Sequence, residues 1–225
     1  MNVPLLDLKP QLAQLRPQIM EAVTRVVDST GYILGREVND LEERIAAYCG
    51  AACGIGVSSG TDALLVSLMS LDIGPGDLVL TTPYTFFATM GTVLRVGARP
   101  VFVDVEADSL NMDPERMAEA LAADRKNGAR IKAVIPVHLY GQCADMDRIG
   151  RLAGEYGVPV IEDAAQAIGA EYPFADSGTV TWKRAGSMGL SGCFSFFPSK
   201  NLGGIGDGGM VTTSAAEFAG IVRSN

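Results

Sequence analysis

The chain has 225 residues, 48% of them hydrophobic, and a formal net charge of −8, with a pI near 4.7 and a mean hydropathy of +0.20. That length can bury one large core, and the acidic balance argues against a nucleic-acid surface or a basic membrane-binding face. Four cysteines without CxxC spacing, no basic-then-apolar leader and no run of membrane-spanning length point to a cytoplasmic protein with reduced thiols.

Residues 10–28 and 38–49 read as amphipathic helices, the second through Val38, Leu41, Ile45 and Tyr48 at helical spacing. Short apolar strands then alternate with helical segments. The strands are expected at Gly54–Val57, Leu78–Thr81, Pro100–Val103, Ala133–Val137 and Val158–Ile161. The helices between them are expected at Thr61–Leu71, Thr85–Val96, Pro114–Ala123 and Met146–Tyr156. Such alternation implies right-handed parallel crossovers and a three-layer α/β domain. Tyr172–Gly192, rich in Gly, Ser and Thr, reads as a long loop. Cys193–Phe196 and Met210–Thr213 read as strands joined by a glycine-rich loop instead of a helix, and Ile221–Asn225 lies inside a helical segment. In open α/β sheets, ligands bind at the carboxyl ends of strands. Ser58–Thr61, Asp163 and Lys200 all fall just beyond predicted strands, so one sheet edge would collect them.

Three of these segments carry chemistry when read together. Phe194-Ser195-Phe196-Phe197-Pro198-Ser199-Lys200 sets a lysine after an apolar strand, and Asn201-Leu202-Gly203-Gly204 lets a flat ligand approach the backbone. Most lysines are solvated surface groups. The phenylalanines around Lys200 argue instead for an apolar setting that lowers a lysine's pKa and makes the amine nucleophilic. Asp163, ending an apolar strand, could cap the next turn, but a carboxylate there could also hold a pyridine nitrogen protonated. An imine-forming lysine with such an aspartate is what pyridoxal phosphate chemistry requires. Gln166 could donate to the ring's phenolic oxygen if a helical turn follows Asp163. In Val57-Ser58-Ser59-Gly60-Thr61-Asp62, the reading as an ordinary N-cap competes with a phosphate site at a helix start. Asp163 and Lys200 tip the balance towards phosphate. Ser195 is a further phosphate donor, and Phe86 a candidate to stack on the ring.

Two other features mislead. Gly204-Ile205-Gly206-Asp207-Gly208-Gly209 spells GxGxxG but precedes a strand, so the dinucleotide reading fails its structural requirement. His138, the single histidine, cannot build a multi-histidine metal centre, and no cysteine cluster compensates.

The ordered set Pro4-Leu5-Leu6-Asp7-Leu8, Ser59-Gly60-Thr61-Asp62-Ala63-Leu64, Pro136–Gln142, Glu162-Asp163-Ala164-Ala165-Gln166 and Phe194–Gly209 resembles the DegT/DnrJ/EryC1/StrS aminotransferases. These are sugar-modifying enzymes of the fold-type-I pyridoxal phosphate class. The resemblance implies an α/β/α large domain with a mostly parallel sheet over residues 1–225, including the N-terminal helices, and lacking the family's small C-terminal domain. It implies pyridoxal 5'-phosphate held by Lys200, with Asp163 on the ring nitrogen and Gln166 on the phenolic oxygen. Gly60, Thr61 and Ser195 would bind phosphate, and Phe86 would stack on the ring. The implied reaction moves an amino group from glutamate to a nucleotide-linked keto sugar for amino-sugar and surface-polysaccharide synthesis, in a homodimer with shared active sites. His138-Leu139-Tyr140-Gly141 leans the substrate towards a 3-keto sugar, and Leu190 stands where relatives commonly carry an acidic residue. A truncated non-catalytic or regulatory relative is the alternative, and an NAD-dependent oxidoreductase a more distant one.

Overall fold

The computed structural model describes residues 3–176 and 179–225. Helices α1 (Lys9–Ser29) and α2 (Arg36–Cys49) precede β1 (Cys53–Val57). The alternating stretch follows as α3 (Gly60–Met69), β2 (Leu78–Thr81), α4 (Phe87–Arg95), β3 (Arg99–Phe102), α5 (Pro114–Lys126) and β4 (Ile131–Ile135). It ends with α6 (Met146–Tyr156) and β5 (Ile161–Asp163), and then come β6 (Glu171–Asp176) and β7 (Thr179–Arg184). The last elements are β8 (Ser191–Ser195), β9 (Gly209–Thr213) and α7 (Ala216–Ser224).

Two ladders, β3-β2-β4 and β1-β9-β8-β5, are stitched together by parallel bridges from Val134 to Val160 and from Val137 to Asp163. The sheet therefore runs β3-β2-β4-β5-β8-β9-β1. Only β9 opposes its neighbours, pairing antiparallel with both β8 and β1. A loop, not a crossover helix, joins β8 to β9, and a strand that returns without crossing the sheet must reverse direction. Pro100, which cannot donate to a ladder, sits on the edge strand β3.

Strand side chains alternate between two buried layers. Val79, Ala133, Ile135, Cys193 and Val211 pack with Leu64 and Leu68 of α3 and Phe218 and Val222 of α7. Leu78, Leu80 and Val134 pack with Met117 and Leu121 of α5 and Met146 and Ile149 of α6. On that second face Phe194 and Met210 meet Ile45 and Cys49 of α2. Burial on both faces accounts for strands that read as unbroken apolar runs.

Three sequence expectations need correction. Val158–Ile161 is displaced: Val160 contributes only a bridge, and β5 carries the pairing to Asp163 because Ile161, Glu162 and Asp163 register with Ser191, Gly192 and Cys193. Asp163 thus closes the strand. The long loop expected over Tyr172–Gly192 contains the hairpin β6–β7, paired from Glu171↔Arg184 to Asp176↔Thr179. Composition suggested a loop there, yet Tyr172 and Phe174 alternate against the apolar cluster beneath, and Thr179-Val180-Thr181-Trp182 is rich in β-formers. Residues 177 and 178 of that stretch lie outside the described ones. Helix α4 starts at Phe87, two residues later than expected, so Phe86 is its N-cap.

Helix α1 has no buried residue and exposes Leu12, Leu15, Met20, Val23 and Val27. No helix among the described residues is long and apolar enough to cross a membrane. The four cysteines are free; burial first, then Glu162, pushes the Cys49 thiol up to about 11 and the Cys143 thiol to about 12.

Candidate active site

A cavity of about 490 Å³ opens at the carboxyl ends of the parallel strands, a volume typical of small-molecule sites. Gly60, Thr61, Phe86, Asp163, Gln166, Ser195 and Lys200 all line it. The structure brings together every site residue expected from the sequence.

One wall is the start of α3. Ser59 is an ordinary N-cap, accepting from the Asp62 N–H at 3.0 Å, and its backbone carbonyl takes the Ala63 N–H. Among the described residues, the Gly60 and Thr61 N–H groups donate to no protein acceptor. They are left at the positive end of the helix for an anion. The close approach of this turn to β8 dictates glycine at 60, because a Cβ there would stand 2.6 Å from the Ser195 Cβ. Gly209 is needed for the same reason on β9, whose backbone runs against the Ser59 carbonyl.

The floor is Asp163, 5% exposed. Its Oδ2 accepts from the Thr89 hydroxyl at 2.7 Å and its Oδ1 from the Ala165 N–H at 3.3 Å. Burial pushes this carboxyl above the usual carboxylate range. Thr89 and Ala165 act the other way, as do His138 and Lys200 more weakly. A carboxylate in that setting gains from any cation brought to it. Gln166 follows on a turn closed by Ala167 N–H to Ala164 C=O, not on a helix. Its Oε1 accepts from the Tyr140 N–H at 2.9 Å. The Gln166 amide therefore has its nitrogen, a donor, left over.

Glu162, beside Asp163, points to the opposite face of the sheet and is fully buried. Its Oε2 accepts from His138 Nε2 at 2.9 Å and the Gly186 N–H at 2.8 Å. Its Oε1 accepts from the Met188 and Gly189 N–H groups at 2.7 and 2.6 Å. Four donors satisfy the charge without a cation. His138 Nδ1 accepts from the Ala144 N–H at 3.1 Å, which fixes Nε2–H as the donor to Glu162. His138 is thus a structural tie at the edge of the cavity.

Lys200 stands with its Nζ 6.0 Å from the Phe86 ring centroid. The apolar enclosure expected around it is only half built. Phe194 and Phe196 are buried, but Phe197 and Leu202 are exposed. The turn closed by Lys200 N–H to Phe197 C=O carries the Phe197 ring outward, and Lys200 is half-buried. Phe86 is 69% exposed. This side of the cavity is open.

The lining fits pyridoxal 5'-phosphate on its own chemistry. It combines uncommitted amides beside the Ser195 hydroxyl, a buried carboxylate in want of a cation, an amide donor, an aromatic face and a primary amine. Sequence reasoning gave no role to Glu162 or Thr89, nor to Asp207, which also lines the cavity. Thr85 and Thr89, four apart after strand β2, were the available signal for Thr89.

The model of the DegT/DnrJ/EryC1/StrS aminotransferase family matches residues 13–224. A pleiotropic regulatory protein of Geobacillus stearothermophilus is 48% identical, over 97% of this chain and 55% of its own length. The UDP-2-acetamido-2-deoxy-3-oxo-D-glucuronate aminotransferase of Pseudomonas aeruginosa is 44% identical, over 97% of this chain and 57% of its own. The solved structure of NtdA from Bacillus subtilis, with its cofactor PMP bound, superposes with a TM-score of 0.85. It is 31% identical and covers 98% of this chain and 47% of that one. The chain spans about half the length of the curated relatives it matches.

Proposed function

This chain belongs to the DegT/DnrJ/EryC1/StrS aminotransferase family, and on that footing we propose that it is the cofactor-binding part of a pyridoxal 5'-phosphate transaminase. The reaction moves an amino group from glutamate to a keto sugar carried on a nucleotide, in amino-sugar or polysaccharide synthesis. The observation that carries this reading is the convergence of residues 60–61, 86, 163, 165–166, 195 and 200 on one cavity. A 3-keto substrate is favoured by the Pseudomonas relative, whose name puts its oxo group at position 3.

When bound, pyridoxal 5'-phosphate supplies an electron sink for the charge left when a proton leaves the substrate carbon. The Lys200 amine would hold the cofactor, and the same nitrogen would carry that proton. Asp163 keeps the ring nitrogen protonated, and the Gln166 nitrogen donates to the phenolic oxygen. The Gly60 and Thr61 amides and the Ser195 hydroxyl receive the phosphate, while Phe86 covers one ring face. The open side of the cavity and the apolar side chains on α1 support a homodimer whose second copy completes the site. The small domain expected from the sequence would lie outside residues 1–225. A cytoplasmic setting accords with the four free thiols.

The name of the Geobacillus relative favours a second reading, a regulatory protein that keeps the cofactor site. The test is optical and chemical: protein with cofactor should give an absorption band that borohydride abolishes, then transfer nitrogen from glutamate to a nucleotide-linked 3-keto sugar. A band without transfer supports the regulatory reading, and no band removes both.

A further inference from the structure

Thr89 lies inside α4, fully buried, with its hydroxyl 2.7 Å from Asp163 Oδ2. A threonine in a helix normally returns its hydroxyl to the carbonyl four residues back. Thr92, one turn on, does so, donating to the Ala88 carbonyl at 3.0 Å. Thr89 instead reaches across to β5. An ionised carboxylate only accepts, so the Thr89 hydrogen points at Asp163 and its oxygen is free to accept. The Thr85 hydroxyl, 2.8 Å away, is the donor that fits. With Asp163 ionised, the whole chain runs from Thr85 to Thr89 to Asp163.

We propose that Thr89 is a positioning residue: with Thr85 behind it, it locks the rotamer of Asp163 so that the carboxylate presents its remaining acceptor positions to the cavity. This rests on the reading of Asp163 as the partner of the cofactor's ring nitrogen. The two protein donors occupy one position on each oxygen, Oδ2 through Thr89 and Oδ1 through Ala165. A ring N–H entering from the cavity then meets an aimed acceptor. Without Thr89 the carboxylate would keep only the longer bond to Ala165 and would be free to turn about its Cα–Cβ bond.

The test begins on the cofactor-free chain, with the carboxyl carbons of aspartate labelled with 13C and Asp163→Asn identifying the signal. The groups bearing on Asp163 are Glu162 on its own strand, Cys193 on β8, His138 after β4, and Lys200. None of them changes in Thr89→Val, which keeps the shape and removes the donor. Its Asp163 signal should titrate at higher pH than in the wild type, and Thr89→Ser should restore the wild-type position. The dissociation constant for pyridoxal 5'-phosphate should rise about tenfold to a hundredfold in Thr89→Val, the worth of one hydrogen bond to a charged group. A folded Thr89→Val with an unshifted signal, or a serine variant that restores nothing, overturns the proposal. Should the valine variant not fold, Thr85→Val decides: a smaller shift in the same direction supports the chain, and no shift overturns it. If these titrations behave as stated while the wild type binds no cofactor, Thr89's hold on Asp163 stands and the proposed function falls.

Discussion

Replacing Gly60 with alanine tests whether the close contact between α3 and β8 is what builds the anion-binding wall. The added carbon would lie 2.6 Å from the Ser195 Cβ and 3.1 Å from its Cα. Carbon atoms settle at about 3.5–4.0 Å, so helix and strand must separate by about 1 Å. Ser195 cannot swing aside freely, since its Cα belongs to β8 and pairs with Gly209 of β9. Overpacking of this kind costs about 1–3 kcal/mol, and the gain from a better helix former at the first helical position offsets only a part, up to ~1 kcal/mol. A net loss of about 1–2 kcal/mol corresponds to a melting temperature lower by about 2–8 °C for a domain of this size. The displaced amides should also weaken phosphate binding by at least about tenfold. Gly154→Ala is the matched control, because α6 has open space at that position. It should raise stability by about 1 kcal/mol through helix propensity alone. Calorimetry of both variants with and without cofactor gives the answer. A Gly60→Ala protein that melts with the wild type and retains cofactor equally well would refute the reasoning.

Lys200→Ala should abolish the borohydride-trapped adduct while leaving the melting temperature of the cofactor-free chain nearly unchanged, because the residue is half-buried at an open edge; mass spectrometry of a digest locates the adduct. Asp163→Asn should separate stability from binding. The folded state raises the Asp163 pKa, so its contribution favours folding at acid pH and is lost as pH rises from the unfolded value near 3.9 (about that of a free aspartate) through the folded one. The asparagine variant, compared by melting across that range, should match the wild type at low pH and gain on it towards neutrality, while its cofactor affinity falls. Glu162→Ala would leave the buried Gly186 N–H and His138 Nε2, and the half-buried Met188 and Gly189 N–H groups, without an acceptor. Leaving a buried donor unsatisfied costs about 1–3 kcal/mol, measurable by urea unfolding. An unchanged midpoint would mean that the Gly186–Gly189 turn holds itself.

Much of the architecture was legible because strands buried on both faces leave unbroken apolar runs, as in Leu78–Thr81, and as in Ala133–Val137, although β4 itself runs two residues earlier, Ile131–Ile135. Glycine-rich punctuation also marked the connection from β8 to β9 as a loop and not a helix. The hairpin β6–β7 was hidden because serine, threonine and glycine serve loops and half-buried strands alike, and only the partner strand decides between them. The Asp163 boundary slipped for a related reason: the last residues of a parallel strand are fixed by its neighbour β8, not by their own apolarity. Lys200, Asp163 and Gly60 could be picked out because each lies at or beyond a strand end in a setting that its residue type explains poorly. Thr89 could not. Threonines on helices are ordinary, and its significance exists only where α4 crosses over β5. The openness around Lys200 was equally invisible, since flanking phenylalanines do not announce which way a turn will point them.

The reversed strand has a consequence for the order in which the chain can assemble. Val57 pairs with Gly209 and Cys53 with Thr213, so the strand ahead of the anion-binding turn waits for a partner near the far end of the sequence. Contacts of such long range are slow to form. On the ribosome, the stretch from β2 to β5 can begin pairing while β1 remains an unpaired edge. Helix α3 meets Ser195 only once β8 has emerged. A ligand held between α3 and β8 therefore cannot act as an early nucleus for this domain. That wall is complete only once β8 and β9 have been made, and a nascent chain stalled short of residue 209 would leave β1 without its partner strand.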